Sequence, residues 1–255
     1  MFNMISDTWT LTKRNLIIYT RLPQLLFFSS VQPIIFLTLF NFVFGGAFKG
    51  VSNIPGGVYI NYLLPGILVQ TTLFGALNTG IGLATDMNKG IVDRFRSLPM
   101  SRAAVMGGRT VSDMIRNILV MTIMFITGTL YGFRLQNGWL GGLAMFGTAL
   151  LFSFSISWIS AYVGLTTKDP ETAQLAGFVF IFPLTFASSA FVPVTYMPSW
   201  LQKFASHQPV TYAVNATRSF ALGTPMNGAF WHLMIWVVGI LAVFVPLSIW
   251  RYRKS

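Results

Sequence analysis

The chain has 255 residues, of which 54% are hydrophobic and 9% are charged, and its 17 Lys and Arg residues outnumber its 6 Asp and Glu residues to give a net charge of +11. This composition excludes an ordinary water-soluble domain, in which about a quarter of the residues are charged, and a disordered chain, which requires low hydrophobicity. It also excludes a nucleic-acid-binding surface, because most of the chain could not be hydrated, and the lack of cysteine excludes disulfides and thiolate metal sites. The composition therefore indicates an integral membrane protein.

The N-terminal segment, residues 1–24, has the pattern of an amphipathic helix. Trp9, Leu16 and Ile17 provide apolar side chains, and Lys13 and Arg14 provide cations for anionic lipid headgroups. We expect a helix that lies in the membrane interface. The alternative is a basic flank that only orients the chain.

Six stretches are long enough and apolar enough to cross a membrane as helices, which takes about 20 residues. They cover residues 25–48, 59–84, 114–133, 139–165, 172–192 and 230–250. Small residues at four-residue spacing, such as Ser160 and Gly164, predict close packing between these helices. We therefore expect an all-α membrane protein with six transmembrane helices, in a single domain that covers residues 1–255.

The basic residues predict how these helices are oriented. Thirteen of them fall on one side, in the N-terminal segment, the loop at 86–102, the base of the third span, the C-terminal tail and, as Lys168, after the fourth span. The other side carries only Lys49, Arg134, Lys203 and Arg218. Both termini are therefore predicted to be cytoplasmic.

The acidic residues all fall on the cytoplasmic side as well, including Asp113 ahead of the third span, and none is near the middle of a span. Proton-coupled transporters normally carry a carboxylate within the membrane. We therefore expect that the energy for any uphill transport arrives from outside the bilayer.

The cytoplasmic loop at 86–102 predicts a short amphipathic helix. Ile91, Phe95 and Leu98 recur at helical spacing between Gly90 and Pro99. No proline follows between residues 101 and 133, so one continuous helix should project from the third span into the cytoplasm. We expect Gly107 and Gly108 to be its weak points.

The segment at 193–229 is a long external loop with many apolar and aromatic residues. Pro193, Pro198 and Pro209 divide it into short pieces. Because apolar side chains are unfavourable in water, we expect short helices that lie on the outer leaflet or dip into it.

Catalytic and metal-binding motifs are missing from the sequence. There is no G-x-x-x-x-G-K-[ST] loop for nucleotide phosphates, no H-E-x-x-H zinc motif and no G-x-S-x-G nucleophile, and His207 and His232 have no acidic neighbour. The residues therefore predict a passage or a scaffold without a catalytic site and without a metal site.

Two blocks of sequence resemble a known family. The first is NKGIVDRFRSLPMSR at 88–102 with GRTVSD at 108–113, and the second is PLTFASSAF at 183–191 with MPSW at 197–200, QPVTY at 208–212 and Arg218. In this order they are similar to the ABC type-2 transporter permeases, in particular the membrane subunits of daunorubicin/doxorubicin-resistance exporters. The resemblance covers essentially the whole chain.

The resemblance implies partners that the composition could not indicate. Such permeases form a dimer, here a homodimer, and bind two separate ATP-binding-cassette ATPase subunits that carry the ATP and the magnesium. The loop would hold the coupling helix that docks on the ATPase, with these residues: Gly90, Ile91, Asp93, Arg94, Phe95, Arg96, Leu98 and Pro99. The alternative is a topogenic loop whose cations meet only lipid headgroups.

The resemblance also implies that the first, second and fifth spans line the translocation path. The candidates on these spans are Asn41, Gln70, Asn78, Phe182 and Phe186. The expected function is ATP-driven export of an amphipathic drug, lipid or polyketide-like molecule across the bacterial plasma membrane, with no nucleic acid as partner. The alternatives are a proton-driven drug exporter, a membrane-integral lipid-modifying enzyme, and a scaffold or receptor subunit without transport.

Overall fold

The computed structural model describes residues 4–21, 23–47, 56–91 and 102–254, and these residues form a bundle of helices without a β-strand. The α-helices are α1 (Met4–Arg21), α2 (Pro23–Ala47), α3 (Tyr59–Asn88), α4 (Arg102–Leu130), α5 (Gly138–Thr167), α6 (Pro170–Phe186), α7 (Ser199–His207), α8 (Pro209–Leu222) and α9 (Ala229–Lys254), with a 3-10 turn at Val194–Tyr196. The predicted all-α class is confirmed.

Five of the described helices contain a segment long and apolar enough to cross a membrane. These segments are Phe27–Gly46, Tyr59–Asn88, Gly107–Leu130, Gly138–Thr167 and Ala229–Tyr252, and they match predicted spans one, two, three, four and six. Predicted span five is shorter than expected, because α6 has 17 residues and ends at Phe186. A helix of that length extends about 25 Å, so the count of six spans stays a prediction.

The start of α6 is determined by a capping interaction. The Asp169 carboxylate accepts hydrogen bonds from the backbone N–H and the hydroxyl of Thr172, both at 2.7 Å. Such bonds satisfy a backbone donor that the first turn of a helix leaves without a partner. They also favour the ionised carboxylate, so they lower the pKa of Asp169.

The central helix of the bundle is α3, which is buried along most of its length and contacts α2, α4, α5, α6 and α8. Its most extensive contact is with α5, where the two backbones touch. A Cβ at Gly164 would lie 2.7 Å from the carbonyl carbon of Gly80, and a Cβ at Gly80 would lie 2.7 Å from that of Ser160. The close packing predicted for Ser160 and Gly164 is confirmed, and it requires glycine on both helices.

The helix α1 packs on the first half of α4. The Thr12 hydroxyl donates to the carbonyl of Gly108 at 3.3 Å, and a Cβ at Gly108 would lie 2.7 Å from the Cβ of Leu11. Helix α4 is continuous through Gly107 and Gly108, and Gly108 is a contact point; that these glycines are weak points stays a prediction. The helical character predicted for α1 is confirmed, while its place in the membrane interface stays a prediction.

The segment at 193–229 is divided as its prolines predict, into the 3-10 turn, α7 and α8. Trp200 and Phe204 of α7 are exposed, as expected for an element at the membrane surface. The apolar side chains of α8, including Val210 and Val214, are buried against α3, α5 and α9. The predicted position of these short helices, on the outer leaflet or dipping into it, stays a prediction.

Candidate functional site

A cavity of about 440 Å³ lies between α2, α3, α4 and α6, and we call it the central cavity. Its polar lining on α3 and α4 consists of Gln70, Thr71, Asn78, Arg109, Arg116 and Asn117, and its aromatic lining consists of Phe36, Phe74 and Phe178. Sites for small molecules usually enclose about 300–1,000 Å³ and combine apolar walls with a few polar groups. The central cavity has both properties.

The polar wall is held in place by side chains that bond across three helices. Arg116 of α4 donates from Nη2 to the carbonyl of Gly75 on α3 at 2.8 Å. Asn117 donates to the Ser153 hydroxyl of α5 at 3.1 Å, and this hydroxyl donates to the Thr72 carbonyl at 2.8 Å. Buried polar groups linked in this way resist displacement, because breaking one bond leaves its partner unsatisfied.

A buried carboxylate lies next to this wall. Asp113 is 2% exposed, accepts a hydrogen bond from the Thr79 hydroxyl at 2.7 Å, and pairs with Arg109 at 3.4 Å. Arg109 also donates from Nη2 to the carbonyl of Asn78 at 3.2 Å. Asp113 thus ties α4 to α3 and neutralises part of the positive charge beside the cavity.

The burial of these charges differs from the sequence prediction, which placed Asp113 and Arg116 at the cytoplasmic end of the third span. The membrane-length segment of α4 already begins at Gly107, so both residues lie inside it. The positions 109, 113, 116 and 117 are spaced as one helical face, and that spacing was the signal that sequence reasoning missed. Arg109, Arg116 and Asn117 were accordingly not among the predicted path residues.

An arc of phenylalanine rings begins and ends on the wall of the central cavity. From Phe36 it runs to Phe40 at a centroid distance of 5.9 Å and on to Phe191 at 4.4 Å. It continues through Phe186, Phe182, Phe74 and Phe178 at distances of 5.1, 4.5, 6.4 and 5.8 Å. Rings at such distances attract one another in stacked or edge-to-face pairs. The arc joins α2, α3 and α6 into one aromatic surface.

The five predicted path residues have different positions. Gln70 and Asn78 line the central cavity, and Phe182 and Phe186 belong to the aromatic arc next to it. Asn41 is not among the residues that line the cavity. The structure thus brings four of the five to one region, and their role in translocation stays a prediction.

The predicted coupling residues lie mostly outside the described residues. Gly90 and Ile91 are described, whereas Asp93, Arg94, Phe95, Arg96, Leu98 and Pro99 are not. Gly90 has a φ of +65° and its N–H donates to the carbonyl of Met87 at 3.0 Å. Glycine adopts this left-handed conformation at little cost, so the chain leaves α3 in a tight turn at this point.

A second buried arginine lies towards the other end of α3. Arg218 of α8 is 4% exposed and donates to the carbonyls of Tyr62 and Ser189, at 3.2 and 2.9 Å, and to the amide oxygen of Asn215 at 3.1 Å. Its guanidinium lies 3.6 Å from the centre of the Tyr62 ring. The sequence placed Arg218 in an external loop; here it joins α3, α8 and the turn after α6.

Comparison with known proteins gives a consistent picture. The profile of the ABC-2 type transporter family matches residues 6–222. The chain is 34% identical over 254 residues to the daunorubicin resistance ABC transporter permease protein of Streptomyces coeruleorubidus, covering 98% of this chain and 87% of the relative. It is 30% identical to the probable doxorubicin resistance ABC transporter permease protein of Mycobacterium tuberculosis, covering 88% and 80%, and 28% identical to a putative transport permease of Cyanophora paradoxa, covering 85% and 74%.

Proposed function

The chain belongs to the ABC-2 type transporter family, and from this premise we propose that it is the membrane-spanning permease subunit of an exporter driven by ATP hydrolysis on a separate subunit. The exported molecule is an amphipathic drug, a lipid or a polyketide-like compound, which leaves the cytoplasm or the inner leaflet. One observation carries the proposal: three of the helices predicted to line the path, α2, α3 and α6, enclose a cavity with polar and aromatic walls.

The proposed coupling follows from the connection between the cavity and the loop at 86–102. Helix α3 ends at Asn88, helix α4 begins at Arg102, and both line the central cavity. A partner that moves the intervening loop therefore pulls on two walls of the cavity at once. We assign the docking to the apolar side chains of Ile91, Phe95 and Leu98 and to pairing of Arg94 and Arg96 with acidic groups on the ATPase.

In the proposed assembly, two copies of this chain form a homodimer and two ATPase subunits bind at the cytoplasmic face. ATP and magnesium bind to the ATPase subunits, whose closure moves the coupling helices and opens the path outward. Both termini of the chain are cytoplasmic, α6 with the turn after it forms the fifth of six spans, and α1 lies in the interface against lipid headgroups. The exposed aromatic residues of α2, including Phe27, Phe28 and Phe42, provide an apolar surface for lipid or for the second copy.

A proton-driven exporter is the main alternative, and the buried Asp113 is the observation that favours it. However, Asp113 is held by both Arg109 and Thr79, on the side of α4 that faces α3. A carboxylate engaged in this way acts as a tie between two helices. A lipid-modifying enzyme has less support, because the polar wall of the cavity has amides and guanidinium groups but no nucleophile beside a base.

The coupling proposal is tested by reversing two charges in the loop. Arg94→Glu combined with Arg96→Glu should strip the co-purifying ATPase from the membranes, because both substitutions oppose acidic groups on the partner. The matched control is Arg134→Glu combined with Lys203→Glu, two exposed cations predicted on the opposite side. If the ATPase still binds to the loop variant and hydrolyses ATP at the normal rate, the docking assignment is wrong.

A further inference from the structure

We propose that the central cavity binds an anionic group carried on an aromatic or otherwise apolar body, and that Gln70 recognises this ligand. The inference rests on the proposed function, since it treats the cavity as the substrate site of the permease. It adds the charge class of the substrate, which the family membership does not supply.

Gln70 has the properties of a ligand-binding side chain. It is 4% exposed, it lines the central cavity, and its amide makes no hydrogen bond with any described residue. Two neighbouring polar side chains differ from Gln70: the Thr71 hydroxyl donates to the carbonyl of Ile67, and the Asn78 amide donates to those of Phe74 and Gly75. Because buried polar groups nearly always have a partner, the Gln70 amide is suited to a group that enters the cavity. It can donate two hydrogen bonds to such a group.

The charged side chains beside the cavity determine whether an anionic or a cationic ligand group is favoured there. Arg109 and Arg116 line it, and no carboxylate is found among its described lining residues. Asp113 pairs with Arg109, and Asp86 also acts on Arg109, but neither carboxylate is part of the lining. The two guanidinium groups in this lining attract an anion and repel a cation.

The remaining walls of the central cavity can contact the apolar part of the ligand. Phe36, Phe74 and Phe178 face the cavity and continue into the aromatic arc. Aromatic faces contact planar rings over a large area without strict geometry. A ligand with an anionic end near Gln70 and a ring system along these phenylalanines contacts the polar wall and the aromatic wall at the same time.

The test uses two fluorescent probes that share the same rings. One is 1-anilinonaphthalene-8-sulfonate, an anion, and the other is N-phenyl-1-naphthylamine, which lacks the sulfonate and is neutral. Each is titrated into the purified chain in phosphatidylcholine nanodiscs, with empty nanodiscs subtracted. Gln70→Glu should weaken sulfonate binding about tenfold or more, because a carboxylate replaces a donor, and should change binding of the neutral probe by less than about twofold.

Two further variants make the result specific. Gln70→Leu keeps the volume and removes the amide, so it should weaken sulfonate binding less than Gln70→Glu does, and it serves alone if Gln70→Glu does not fold. Gln24→Glu, on an exposed position of α2 outside the cavity, is the control and should bind like the wild type. Equal sulfonate binding by the wild type and the Gln70 variants, or equal weakening of both probes, overturns the proposal.

The source of the anion is distinguished by changing the lipid. If phosphatidylglycerol in the nanodiscs competes with the sulfonate in the wild type, the anionic group comes from a lipid; if it does not, the group belongs to a separate small molecule. Either result leaves the site in place. Failure of the proposed function is separate: it appears as vesicle uptake that follows a pH gradient without ATP, and it leaves sulfonate binding through Gln70 intact.

Discussion

The contact between α3 and α5 predicts a large effect from the smallest substitution that can be made there. Gly164→Ala places a methyl carbon 2.7 Å from the carbonyl carbon of Gly80 and 2.9 Å from its Cα, and against the carbonyl oxygen of the same residue. Carbon atoms in contact lie about 3.5–4.0 Å apart, so the helices must separate by roughly 1 Å. Neither side can yield by rotating a side chain, because the obstacle is backbone.

The cost follows from the packing that is lost. A gap of 0.5–1 Å forfeits about a quarter to a half of each dispersion contact, and overpacked interiors usually lose about 1–3 kcal/mol. We expect about 2–3 kcal/mol, near the top of that range, because this is the most extensive helix pair in the described bundle. Without a hydrophobic driving force inside lipid, such close contacts provide much of the association between helices.

The matched control is a glycine-to-alanine substitution elsewhere on α5. Gly147 has nothing within 4 Å of a Cβ, so Gly147→Ala should be neutral or stabilise the protein by up to about 1 kcal/mol, the difference in helix propensity. The assay is thermal melting of the purified protein in detergent, followed by size-exclusion chromatography. If the melting temperature of the Gly164→Ala protein equals or exceeds that of the Gly147→Ala protein, the close contact between α3 and α5 is refuted.

Three further substitutions have expected outcomes. Arg218→Met removes three hydrogen bonds made by a buried guanidinium, and it also removes the cost of burying that charge. We expect the free energy of unfolding in a denaturant melt to fall by about 3 kcal/mol; an unchanged midpoint contradicts the buried position. Asp113→Asn removes the carboxylate that pairs with Arg109, so it should lower the melting temperature more than Asp113→Glu does, and equal melting of the two would argue against the ion pair. Asp169→Ala removes the cap of α6 and should lower the melting temperature slightly; because the folded-state pKa of Asp169 is lowered, the difference from wild type is present above the ordinary carboxyl pKa and disappears as the pH falls through the lowered one.

The hydrophobic runs of the sequence were sufficient to predict most of the membrane-length helices. Helix α3 contains the whole of predicted span two because residues 59–84 are mainly apolar and carry no charge over many turns. The end of α6 could not be located in this way. Residues 187–192 contain no charge, proline or glycine that would mark the end of a helix. The turn there depends on contacts with α8, such as the bond from the Ser189 N–H to the Thr211 hydroxyl. Tertiary contacts of this kind are not visible in hydropathy.

The same reasoning explains which site residues were found. Gln70 and Asn78 were recognisable because a polar residue within an apolar run has few explanations other than a buried polar site. Arg109 and Arg116 were counted as cytoplasmic charges, since positive charges next to a span normally report orientation. Arg218 lies in a segment that its prolines divide, and the sequence analysis therefore assigned it to an external loop. Its burial depends on carbonyl groups supplied by two other parts of the chain, and a single sequence does not show which parts meet.

ATP-driven export is tested most directly by transport into everted membrane vesicles that contain this chain and its ATPase partner. The anion 1-anilinonaphthalene-8-sulfonate serves as the fluorescent probe. Its uptake is measured with ATP in the presence of a protonophore, and with an imposed pH gradient in the absence of ATP. We predict that uptake requires ATP, survives the protonophore and is lost when this chain is omitted. Uptake that follows the pH gradient without ATP, and collapses with the protonophore, would contradict an ATP-driven permease and favour a proton-driven exporter.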